Sequence, residues 1–106
     1  DTNDQLIQFG DSSGATVNRL QFGASQDLQI YHSGTNSFID EVGTGDLYIR
    51  ATSKIELKSH NGAETYAQFN AKEAAKLYYD NAVKLATSNT GVTITGAATA
   101  TTIIGS

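Results

Sequence analysis

Asp27-Leu28-Gln29-Ile30-Tyr31 returns nineteen positions later as Asp46-Leu47-Tyr48-Ile49-Arg50, with Phe38-Ile39 between the two copies. In each copy apolar and polar side chains alternate, and alternation with a period of two is the signature of a strand with one face buried. The same period recurs in Ile55 and Leu57, Ala67 and Phe69, Val83 and Leu85, and Val92 and Ile94. Turn-formers separate these pieces: Ser33-Gly34-Thr35-Asn36, Gly43-Thr44-Gly45-Asp46 and Asn61-Gly62. Gly and Asn take positive φ at little cost, so strand and turn alternate roughly every 8 to 12 residues, the spacing of an all-β chain. A weaker echo, Leu6-Ile7-Gln8-Phe9-Gly10 against Leu20-Gln21-Phe22-Gly23, extends the repeat toward the start.

Composition says how such strands find a core. The 106 residues include no Trp, Met or Cys, and the 39% counted as hydrophobic leans on Ala. Ordering a residue costs on the order of 1.5 kcal/mol of conformational entropy, and one chain of this make-up buries little apolar surface to offset it. Repeats without a large central core suit a solenoid or an intertwined fibre, in which burial accumulates along an axis. The lack of Pro leaves every backbone N–H available to a ladder.

The run Asn70-Ala71-Lys72-Glu73-Ala74-Ala75-Lys76 dissents, with helix formers and an Asn-x-x-Glu start resembling a capping box. It is too short to hold alone in water, and Leu77-Tyr78-Tyr79 followed by an Asp80-Asn81 turn favours strand, which is the expectation here. The chain reads as one segment with three parts: β-repeats over 1–58, a variable stretch with a candidate short helix over 59–82, and a Thr/Ala-rich β-segment over 83–106.

Several function classes lose support at once. Without Cys there is no disulfide, thiol nucleophile or cysteine metal site. Seven basic residues against 11 acidic ones, scattered, form no footprint for nucleic acid or an anionic membrane. No apolar run approaches a membrane span and no signal peptide is legible. His32 and His60 match no metal signature, although a three-fold axis would turn His32, in phase with Leu28 and Ile30, into a ring of three. Asp40, Glu41 and Asp46 would be the acids of a glycan hydrolase or a calcium turn, yet no groove-forming insertion and no GGxGxD repeat accompany them. Thr93-Ile94-Thr95 is too short for a regular Thr array. No cofactor, metal or catalytic residue is assigned, and no enzymatic activity is expected.

The segment DLQIYHSGTNSFIDEVGTGDLYIR, with KLYYDNAVKLATSNTGVTITG further on, closely resembles repeats of tail-fibre and related virion proteins of marine and cyanobacterial phages. The likeness runs from about Leu20 to Gly96; the first eighteen residues are only generically similar. It implies an elongated trimeric β-prism or β-helix shaft on the particle surface, a homotrimer that spaces and displays host-contacting parts alongside other virion proteins. Some such proteins end in a self-cleaving chaperone domain that is removed after assembly; these 106 residues show no such catalytic domain, which leaves open whether the end was processed. In a trimer each strand turns its apolar face to the shared axis, with Leu28, Ile30, Leu47, Ile49, Ile55 and Leu57 as the assembly core and Gln29, Tyr48, Arg50 and Glu56 outward. Tyr31, Tyr48, Tyr78 and Tyr79 are the candidates for stacking on host-surface sugars. The alternatives are a receptor- or glycan-binding adhesin module and a repeat unit of a non-viral filament.

Overall fold

Asp80 and Asn81 hold φ of 48° and 65°, the pair of left-handed residues that a two-residue type I′ hairpin demands. In the computed structural model, which describes residues 5–106, that hairpin is one of several that string together an all-β chain without helices. The chain divides into two units, Asp1–Ile49 and Arg50–Ser106.

The first unit holds β1 (Leu20–Phe22), β2 (Leu28–His32) and β3 (Ser37–Glu41), an antiparallel sheet in the order β1-β2-β3. The β2–β3 turn is the expected Ser33–Asn36, closed by Ser33 N–H donating to Asn36 O at 2.8 Å, with Gly34 at a φ of 102°. Register puts Leu20, Ile30 and Ile39 in one row and Phe22 and Leu28 in the next, all on one face. Gln21, Gln29 and Asp40 lie in a row on the other face, beside the pair Tyr31 and Phe38.

The second unit holds β4 (Lys54–Lys58), β5 (Thr65–Asn70), β6 (Ala75–Tyr79), β7 (Ala82–Ser88) and β8 (Gly91–Ile94), a five-stranded antiparallel meander. Leu57, Ala67, Leu77, Leu85 and Ile94 cross it in a continuous row; Ile55, Phe69 and Ala75, then Thr87 and Val92, lie beside them on the same face. The opposite face carries Lys54, Glu56, Lys58, Gln68, Asn70 and Lys76.

Four local expectations need correction. Leu47–Arg50 form no strand, and Leu47 and Ile49 are exposed without a ladder partner. Alternation supplies a face, but a strand requires a neighbour to take its N–H and C=O groups, and no described residue does so. Leu6–Phe9 is unpaired for the same reason. The 70–76 run is neither one strand nor a helix: β5 ends at Asn70, residues 71–73 turn, and β6 begins at Ala75. Asn70 Nδ2 donates to Ala74 O at 2.7 Å and Lys72 takes a φ of 64°, so the Asn caps a hairpin rather than a helix. Finally, Gln29 does not face outward; it is among the most buried side chains, at 8% exposure, while the neighbouring Ile30 is 38% exposed.

Candidate assembly surface

What is missing is a core. Ala67, 5% exposed, is the only buried hydrophobic residue among those described, and no large side chain is fully enclosed. The accessible surface is 8936 Å². A compact monomer of 11.2 kDa would expose about 5,700 Å², and two separate compact halves about 6,900 Å². Leu57, Phe69, Leu77, Val92 and Ile94 on the second sheet, and Leu20, Phe22, Ile30 and Ile39 on the first, stand exposed in ordered rows. Scattered exposed apolar side chains are ordinary; contiguous rows of them mark an interaction surface.

The first sheet covers its polar face instead. Residues 11–19 fold over it, held by Arg19, whose Nε donates to Ser12 Oγ at 2.7 Å and whose Nη1 donates to Gln29 Oε1 at 2.6 Å. Ser12 N–H in turn donates to His32 O at 2.7 Å. The Arg19 guanidinium lies 3.7 Å from the centre of the Tyr31 ring, and Phe38 stacks on that ring at 4.7 Å. Tyr31 Oη donates to Asp40 Oδ2 at 3.0 Å. Burial, then this bond to the Asp40 carboxylate, raises the phenol pKa above its ordinary value. No described buried side-chain polar atom lacks a partner, so the network is complete, as buried polar groups require.

On the apolar side of this sheet Phe9, Leu20, Ile30 and Ile39 line an open groove of about 490 Å³, with Asn18, His32 and Ser37 contributing polar groups. The same face thus presents both the rows and the groove.

The sequence-assigned residues distribute as follows. Leu28 and Ile30 join Leu20, Phe22 and Ile39, while Ile55 and Leu57 join the wider row of the second sheet. Leu47 and Ile49 join neither sheet. Tyr31 is committed to Arg19, Phe38 and Asp40; Tyr78 is half-buried; Tyr48 and Tyr79 are 76% and 73% exposed. Sequence reasoning passed over Phe69, Leu77, Leu85, Val92 and Ile94 as core candidates, although the alternation of all but Leu77 was legible. It also missed Arg19 and Ser12, whose roles come from a loop folding back and leave no periodic signal.

The residues weighed for chemistry do not converge. Asp40 and Glu41 are successive in β3, hence on opposite faces. Asp40 accepts from Tyr31, and Glu41 Oε2 accepts from Gly43 N–H at 3.0 Å. His32 Nδ1 lies 2.9 Å from Ser37 Oγ, directly across the ladder. Among the described residues no three His, Asp or Glu cluster as metal ligands. No family model, characterised protein or solved structure matches this chain.

Proposed function

We propose that this chain is a non-enzymatic structural segment of an extracellular fibre, of the kind carried on a virion, whose fold is completed by association of copies, three around a common axis. Its role is mechanical: it spaces, stiffens and displays host-contacting parts. The observation that carries this reading is the pairing of ordered, exposed apolar rows with the near absence of a chain-internal core. Closing those rows against identical rows supplies the burial that one chain lacks, at roughly 25 cal/mol per Å² of apolar surface.

Light scattering after size exclusion, combined with melting at several concentrations, tests the proposal. The expected result is a mass of three chains or a whole multiple of three, and a melting temperature that rises with concentration. A compact monomer that melts cooperatively at micromolar dilution overturns it, and turnover of host polysaccharide by the pure chain overturns the non-enzymatic part. Tyr48 and Tyr79, both largely exposed, favour a second reading as a glycan-contacting adhesin. Binding of a host glycan that Tyr48→Ala and Tyr79→Ala together abolish, with the assembly mass unchanged, would select that reading.

A further inference from the structure

The two edges of the second sheet are built differently. β4 carries Lys54, Glu56 and Lys58 on one face, and its register with β5 shifts at a bulge between Leu57 and Lys58. Charged side chains and bulges are how sheet edges repel stray strands. β8, at the other edge, has neither: its pairing with β7 runs from Leu85↔Ile94 to Ser88↔Gly91 without a shift, and all four of its residues are exposed. Beyond Lys84 the chain has no charged residue through Ser106 and no Pro.

The open groups of this edge are identifiable. Thr95 N–H donates to Lys84 O at 2.9 Å, so by alternation Thr93 and Gly91 turn their backbone groups toward β7. The N–H and C=O of Val92 and Ile94 therefore point away from the sheet, and no described residue bonds to them.

From this geometry we infer that β8 is an open edge that takes β8 of a second copy, antiparallel, with Val92 opposite Ile94 of the partner and Thr93 opposite its own counterpart. This register pairs all four outward groups on each chain. It sets each Val92 against the other copy's Ile94 on the apolar face and so continues that face across the junction, while Thr93 meets Thr93 on the other. The charge pattern selects the occupant. In a two-fold contact the residue on the axis meets its own copy, so a charge there would face the same charge, whereas an uncharged strand is free to pair. The contact is edge to edge and separate from the face-to-face closure proposed above.

The chain has no Cys, so a single introduced thiol can only link copies. In the stated register Thr93 and its counterpart form a non-hydrogen-bonded pair, whose Cα separation of about 4.5 Å falls within disulfide reach. Thr95 faces Gly91 of the partner and does not meet itself. Under mild oxidation at micromolar concentration, Thr93→Cys is expected to give covalent dimers and Thr95→Cys at least tenfold fewer. Thr93→Lys, which puts two ammonium groups together at the two-fold, is expected to halve the largest assembled mass while circular dichroism keeps its β signal. Equal linking at both positions, no linking at Thr93, or an unchanged mass for folded Thr93→Lys overturns the inference. The face-to-face reading is read separately, through Leu77→Asp, so either can fail alone.

Discussion

Gln29 and Ile30, adjacent in β2, have exchanged the places that their polarity suggests: the amide is buried beneath Arg19 and the aliphatic side chain faces out. The inversion makes sense if Ile30 belongs to a surface that another copy closes, while the polar side is sealed by residues 11–19 of the same chain. It yields a direct test. Gln29→Leu makes β2 more hydrophobic, yet it removes the acceptor of Arg19 Nη1 and should destabilise the fold by about 1–3 kcal/mol, the penalty for an unpaired buried polar group. Urea unfolding reads this as a lower midpoint; a neutral or stabilising outcome would contradict the inside-out arrangement.

Lys76 and Leu77 are neighbours in β6 on opposite faces. Leu77→Asp places a carboxylate in the middle of the apolar row, where desolvation and repulsion between copies each cost several kcal/mol, and the assembly should fall to monomers or unfolded chain. Lys76→Asp reverses a charge on the solvated face and should alter stability by about 0.5 kcal/mol or less. Light scattering with circular dichroism separates the two; equal tolerance would mean that this face is not the one that closes.

How far the sequence revealed these features follows a physical divide. Period-two alternation located β2, β4, β5, β7 and β8, because a pleated strand records its two faces in the residue order, and β3 was read from its place between the two copies of the repeat. Turn chemistry located Asp80-Asn81 and Ser33–Asn36, since positive φ restricts residue choice locally. The failure at Leu47–Arg50 is of another kind: it shares the Asp-Leu-x-Ile alternation of β2, but whether a strand forms depends on a partner that local pattern does not contain. Arg19 was illegible for the same reason, as nothing within a few residues of it indicates that Ser12 and Gln29 will be its acceptors. Exposure of the apolar rows, by contrast, was foreshadowed by composition alone.

Acid should loosen the second sheet through Glu56. Its pKa is lowered chiefly because Gln68 Nε2 donates to Oε2 at 2.7 Å, with Lys54 and Lys58 adding attraction and burial opposing them. A carboxyl with a depressed folded pKa favours the folded state fully above its unfolded value, and that contribution disappears as pH falls through the folded value. Melting temperature should therefore decline as pH drops below the ordinary Glu range. In Glu56→Gln the decline should be shallower, because the variant lacks the titrating group; identical pH profiles for the two proteins would remove Glu56 from the account.

The β6–β7 hairpin offers a finer test, in which one residue does two separable things. Asn81 supplies the second left-handed position of the turn, at a φ of 65°, and its side chain also bridges back to the β4–β5 connection. There Oδ1 accepts from Thr65 N–H at 2.9 Å and Nδ2 donates to Ala63 O at 3.1 Å. Asn81→Gly keeps the backbone unstrained and loses only the two exposed hydrogen bonds, each worth about 0.5–1.5 kcal/mol. Asn81→Ala loses the same bonds and also forces a β-carbon into the left-handed region, adding about 1 kcal/mol of strain. Ala should therefore be the more damaging substitution, by an amount that isolates the backbone contribution, and Asp80→Gly, at the other left-handed position, should be neutral or stabilising. Differences in urea midpoint measured at one fixed protein concentration give this order directly. If Asn81→Gly proves as costly as Asn81→Ala, the side-chain bridge rather than the turn conformation is what fixes Asn81 in place.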